Sequence, residues 1–259
     1  MITKVEISLQ GMANHQKELK KKILVPASEL PKIAKEQKIK ESNDFKESVQ
    51  WRIFRIMAEF VDGFEFLSDF GKAVTFFGSA RTPVSDPYYK EARKLAKMLA
   101  DENFAVFSGG GPGIMEAANQ GAYESKKGDS VGLNIQLKYE QRVNDFVKKA
   151  MGFHYFFTRK VMLSYSAQAY VFFPGGFGTL DEFFEILTLI QTEKIPQYIP
   201  IICISREYWK PFLDWIEETT FQKNRFIDKE DISFYQLVDS AEEAFEIIKN
   251  TKLRDDIHY

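Results

Sequence analysis

The chain is poor in cysteine. Cys203 is the only one among 259 residues, so no disulfide can form within it, as expected of a protein from a reducing cytoplasm. It sits in the apolar run "IPIICI", where a thiol serves as a small buried hydrophobe. Net charge is nearly absent as well. With 35 basic and 37 acidic residues the balance is −2, which gives no global field to gather nucleic acid or an anionic membrane. No apolar run is long enough to span a bilayer, and the start, "MITKVEISLQG", lacks the apolar core of a secretion signal. Histidine is limited to His15, His154 and His258. No Cys/His cluster has zinc-ligand spacing and no Ser/His/Asp order can be assigned, so neither a metal nor a cofactor is expected.

What remains has an ordinary globular composition, 44% hydrophobic and 28% charged, in a length that suits one large domain with a small appendage. Residues 1 to about 46 are polar and lysine-rich ("HQKELKKK", "KIAKEQKIKE"). They read as a solvated helical surface or a partly disordered arm rather than a nucleic-acid contact. From Ser48 to Leu67, the residues Trp51, Phe54, Met57, Val61, Phe64 and Leu67 recur at helical spacing. That stripe predicts a helix that docks on the main domain or on a second subunit. The expected organisation is a helical extension over residues 1–70 and one domain over residues 71–259.

That domain alternates. Short apolar runs, "AVTFF", "FAVFS", "SVGLNI", "AYVFF", "YIPIICI" and "FYQLV", are separated by amphipathic helical patterns, the last capped by Ser240. Continuous apolar strands between helices predict an α/β, Rossmann-like doubly wound parallel sheet with helices on both faces. In such a sheet ligands bind beyond the carboxyl ends of the strands, where strand order reverses. Three strand ends stand out: "GSAR" with Gly78 and Ser79, "SGGGPGIME" with Gly109, Gly110 and Glu116, and "PGGFGTLDE", residues 174–182. The last two are glycine turns that open helices. Each is either a tight strand–helix turn with no ligand or an anion site, where a phosphate meets unpaired helix N–H groups with no Cβ in the way. Two such turns in one sheet favour the ligand. Ile114 and Asp181 occupy the places of a third glycine in G-x-G-x-x-G, and no G-K-[ST] follows. A monophosphate therefore fits better than a dinucleotide or a triphosphate.

Around this edge, Glu182 falls in the first turn of the helix opened by the glycines, where it can point into the crevice. Arg159, in "FFTRKVM", is either a surface charge on a buried stem or a ligand clamp. His154 among aromatics reads as structural.

The pair "GGGPGIMEAANQGA" and "PGGFGTLDE" resembles the Lonely Guy family, formerly labelled lysine decarboxylases. Its members are cytokinin riboside 5′-monophosphate phosphoribohydrolases and related bacterial nucleoside 5′-monophosphate nucleosidases. The resemblance runs from about Lys72 to Asn250, and "WRIFRIMAEFVDGFEFL" with "FFGSART" resembles a longer bacterial subgroup. It implies a catalytic glutamate at Glu182 and a catalytic arginine at Arg159, followed by Lys160 and Met162. It also implies substrate contacts at Gly175, Gly176, Phe177, Gly178, Thr179, Asp181, Thr188 and Glu140, and a homodimer or larger assembly. No signature of a pyridoxal phosphate site supports the decarboxylase label.

The expected function is hydrolysis of the N-glycosidic bond of a nucleoside 5′-monophosphate, AMP or a cytokinin nucleotide, in the cytoplasm, with no nucleic-acid or membrane partner. As the base departs, positive charge develops on the ribose. A carboxylate beside the sugar stabilises it and activates water, while the glycine turn anchors the phosphate. The alternative is a nucleotide or cofactor carrier that uses the same crevice without turnover.

Overall fold

The computed structural model describes residues 48–136, 143–165 and 167–254. The chain divides into two compact units, Met1–Trp51 and Arg52–Tyr259. The lysine-rich arm and Glu140 lie outside the described residues. The whole sheet belongs to the second unit.

Seven strands form that sheet, in which every pairing is parallel: β1 (Ala73–Phe77), β2 (Ala105–Ser108), β3 (Ser130–Ile135), β4 (Lys149–Phe153), β5 (Ala167–Phe172), β6 (Ile201–Ile204) and β7 (Tyr235–Val238). The order across the sheet is β4-β3-β2-β1-β5-β6-β7. The chain winds outward from β1 to β4, then returns to the other side of β1 to lay down β5 to β7. The reversal point is therefore the seam between β1 and β5, which pair from Ala73↔Ala167 to Phe77↔Phe172.

Every residue of β1, β2, β5 and β6 is buried, which is why these strands read as unbroken apolar runs. Their side chains alternate between two cores. Val74, Phe76, Val106, Val171 and Ile202 pack under α2 (Pro87–Asp101), α3 (Ile114–Glu124) and α7 (Ala241–Asn250). Phe77, Phe107, Phe172 and Cys203 pack on the opposite face with α1 (Val49–Ser68), α4 (Phe156–Tyr165), α5 (Phe177–Gln191) and α6 (Arg206–Trp215). Asp86 caps α2 and Ser240 caps α7 through side-chain oxygens.

Two elements differ from the sequence pattern. Strand β4 is an edge strand whose residues are mostly part-exposed and include Lys149 and Gly152, so it lacks the apolar run that marks the others. The pattern "TRKVMLSYSAQ", residues 158–168, reads as helix up to "AYVFF", yet the helix ends at Tyr165 and β5 starts at Ala167. Pairing with Ala73 overrides the helix propensity of Ala167 and Gln168. Helix α1 buries Gly63 and Leu67, with Phe60 and Phe64 packed on the core, and leaves Phe54, Met57 and Val61 exposed. Its buried face is thus rotated from the full apolar stripe, because the contact is built around the small Gly63. Among the described residues, no helix is long and apolar enough to cross a membrane.

Candidate active site

At the seam, backbone hydrogen bonds tie the strand ends together. The Ser79 N–H, just past β1, donates to the Pro174 carbonyl after β5 at 3.0 Å. The Ile114 N–H at the start of α3 donates to the Ser79 carbonyl at 3.0 Å. The close approach explains some of the glycines. A Cβ on Gly175 would fall 2.1 Å from Thr179 Oγ1, and one on Gly113, which has φ +71°, would fall 2.3 Å from the Ser79 carbonyl oxygen. Gly176 and Gly178 are different: a Cβ on either would meet nothing within 4 Å. They keep space open rather than permit contact.

That space is a cavity of about 700 Å³ lined by Phe76, Phe77, Gly78, Ser79, Ala80, Arg81, Gly109, Met115, Phe156, Arg159, Gly176, Phe177, Gly178, Thr179 and Glu182, a volume that suits a nucleotide-sized ligand. Phe177 and Gly178 open α5, where backbone N–H groups have no helical partner and the dipole is positive. Thr179 and Ser79 add hydroxyls. Opposite the glycine turn lies Arg159, so close over Gly109 that a Cβ there would stand 2.7 Å from its Nη2. Its guanidinium is 5.7 Å from the centre of the Phe156 ring.

Glu182 is 6% exposed. Its Oε1 pairs with Lys160 Nζ at 3.3 Å, while its Oε2 is buried without a hydrogen-bond partner. Burial pushes its carboxyl up to about 7; the charge of Glu185 adds to this, while Lys160 and Arg159 oppose it. The group is poised to exchange a proton near neutrality. Lys160 also pairs with Asp181 at 2.5 Å and Glu185 at 2.7 Å. Burial works against its charge, but hydrogen bonds to Asp181 and Glu185 and the field of Glu182 outweigh it and hold Lys160 above its ordinary value. Burial lowers Arg159, and Glu182 pulls it back up. Arg159 Nε is buried with no hydrogen-bond partner.

The residues expected from sequence thus divide. Gly78, Ser79, Gly109, Arg159, Gly176, Phe177, Gly178, Thr179 and Glu182 share the cavity wall. Lys160 and Asp181 stand behind it as an ion pair, and Gly175 packs on Thr179. Gly110 lies behind the wall with φ +71° and its N–H on Ser108 Oγ. Met162 is a fully buried core residue. Glu116 accepts from the Tyr89 hydroxyl at 3.2 Å and so turns toward α2. The Thr188 hydroxyl bonds back to the Phe184 carbonyl. Sequence reasoning missed Arg81, Met115, Phe156 and Glu185. Arg81, Met115 and Phe156 lay inside stretches already marked, and Glu185 was signalled by its place three residues after Glu182 on one helical face.

Known proteins share this framework. The family described as "Possible lysine decarboxylase" matches residues 115–248, just over half of the chain. A cytokinin riboside 5′-monophosphate phosphoribohydrolase of Arabidopsis thaliana is 24% identical over 183 residues, covering 70% of this chain and 82% of that protein. The enzyme of the same name from Rhodococcoides fascians is 25% identical over 154 residues, covering 58% and 77%. Among solved structures, the molybdenum cofactor binding protein of Rippkaea orientalis superposes with a TM-score of 0.51 at 23% identity, over 68% of this chain and 93% of that one. That likeness speaks to the fold alone.

Proposed function

The chain belongs to the family described as "Possible lysine decarboxylase", the Lonely Guy family, and from that premise we propose that it hydrolyses the N-glycosidic bond of a nucleoside 5′-monophosphate to free base and ribose 5-phosphate. The observation that carries this reading is Glu182: a buried carboxylate with one unpartnered oxygen, facing the same cavity as an open glycine turn and Arg159. The activity for which the phosphoribohydrolase relatives are named supports the reaction class.

In this mechanism the Phe177 and Gly178 N–H groups and the Thr179 hydroxyl bind the phosphate, so binding energy at the far end of the ribose fixes the reacting carbon. As the bond from the anomeric carbon to the base nitrogen breaks, its electron pair leaves with the base and the ribose acquires oxocarbenium character. Ionised Glu182 stabilises that charge and takes a proton from the attacking water, whose oxygen bonds to the anomeric carbon; the departing base nitrogen takes up a proton from solvent, and Glu182 returns its own to solvent. Arg159 presents its guanidinium to the substrate from the cavity wall and favours the ionised form of Glu182. Lys160 favours the same ionised form from behind. The exposed Phe54, Met57 and Val61 of α1 support assembly into a homo-oligomer.

Incubation with a panel of nucleoside 5′-monophosphates, followed by chromatography for free bases, tests the reaction. At least one purine monophosphate is expected to release its base, and the matching unphosphorylated nucleoside to react far more slowly. Equal rates for adenosine and AMP would remove the phosphate anchor from the mechanism. Tight binding of every monophosphate without release would make the protein a carrier.

The anchor has its own test. Gly176 has φ −94° and ψ −156°, a conformation open to other residues, and space around its missing Cβ. Gly176→Val is therefore expected to weaken monophosphate affinity by about tenfold or more, since a bidentate charged contact is worth over 1 kcal/mol, with little change in melting temperature. Calorimetric titration beside a thermal melt measures both. Unchanged affinity would mean the turn serves folding only.

A further inference from the structure

Helix α4 carries Arg159 and Lys160, and its start is held from outside. Glu59 of α1 turns its carboxylate to the N-terminus of α4. Oε1 accepts from the His154 N–H at 2.8 Å, and Oε2 accepts from the Tyr155 N–H at 3.2 Å and from the Thr158 hydroxyl at 2.7 Å. One carboxylate thus satisfies three donors at the positive end of the helix. Four residues on, Gly63 faces Met162 of α4 so closely that a Cβ would stand 2.8 Å from its sulfur. Glu59 and Gly63 lie on one face of α1, so α1 fixes α4 at two points, one at its start and one a turn along. Arg159 and Lys160 directly follow Thr158, which is fully buried. Of the cavity-lining residues, none belongs to α1.

We propose that Glu59 is a positioning residue for the active site: by capping α4 it sets the depth and rotation of that helix, and so places Arg159 on the cavity wall and Lys160 among Asp181, Glu182 and Glu185. The N-terminal helix is then part of the catalytic scaffold rather than an appendage. The kinetic half of this proposal rests on the hydrolase reading; the structural half does not.

The test compares Glu59→Ala, Glu59→Gln and wild type by steady-state base release below the melting temperature, and by amide exchange over residues 154–165. The expected result for Glu59→Ala is a fall in kcat of about tenfold or more, the cost of a small misplacement of a catalytic group, with KM within about threefold because the glycine turns sit on other elements. Glu59→Gln, which keeps one acceptor oxygen, falls between, and carries the test if the alanine variant does not fold. Exchange at His154, Tyr155 and along α4 should speed up in Glu59→Ala. Wild-type kcat and KM in a variant that only melts earlier would overturn the proposal, as would unchanged exchange over α4. If the wild type turns over no monophosphate, the hydrolase reading falls alone, and the exchange data still decide whether Glu59 holds α4.

Discussion

Glu182→Gln is expected to lower monophosphate hydrolysis by roughly a hundredfold or more, on the precedent of general-base removal, while monophosphate affinity persists. The substitution keeps the size of the side chain and removes its charge. The oxocarbenium-like state then loses its counter-ion and the water loses its proton acceptor. The N–H groups of Phe177 and Gly178 and the Thr179 hydroxyl are untouched, so the ground state is still bound. Steady-state base release beside equilibrium titration, at matched pH, separates the two. A variant that hydrolyses at close to the wild-type rate would remove Glu182 from the mechanism and move attention to Glu185, the carboxylate on α5 whose charge acts on Glu182.

The same substitution has a stability consequence of opposite sign. The Glu182 carboxyl is raised to about 7 in the fold, above its unfolded value. The stability it contributes is therefore fully present below the unfolded value near 4.5 and is lost as pH rises through about 7. Glutamine does not ionise, so at pH 8 the variant should be the more stable protein, by about 3 kcal/mol at most, since each tenfold change in proton affinity is worth ~1.4 kcal/mol. Its advantage in Tm should grow between pH 5 and pH 8. Carboxylate function at this position is maintained against folding stability, as is common at catalytic sites. Lys160 retains Asp181 and Glu185 in the variant, while the buried Arg159 loses the charge of Glu182, which offsets part of the gain.

How much of this was legible in the chain depends on what each element buries. β1 and β5 are covered on both faces, so their apolar runs and the glycine turns after them were plain. The topological seam followed from those turns. β4 was not legible, since an edge strand with one part-exposed face carries no continuous run. At the site, the glycines were visible as a group, but their division was not. That Gly175 accommodates Thr179 while Gly176 faces open space depends on where the chain returns. Arg81, Phe156 and Met115 lie within "GSAR", "FFTRKVM" and "SGGGPGIME", but that these side chains line the cavity depends on how the fold brings three elements together. Glu59 is the sharpest case. Within α1 it is one charged residue beside an apolar stripe, and its partners are 95 to 99 residues away.

The pH–rate profile is the second large effect. If catalysis requires ionised Glu182, log kcat/KM should climb with a slope near one below pH 7 and level above it, so that at pH 5 the rate lies about a hundredfold under the plateau. The substrate phosphate ionises near pH 6 and contributes its own limb, so the assignment needs a variant that moves only the protein group. The charges facing Glu182 are Lys160, Arg159 and Glu185, with Asp181 reached through Lys160. Of these, Lys160 is the strongest influence holding the carboxyl down. Lys160→Met removes it and leaves only Arg159 to oppose burial and Glu185, so the Glu182 limb should move to higher pH. The variant should then be slowest relative to wild type at pH 6 to 7 and recover toward it by pH 9, while the phosphate limb stays where it was. A limb that does not move would assign the titration to substrate alone, and with it would go the case that this buried carboxylate works as the base.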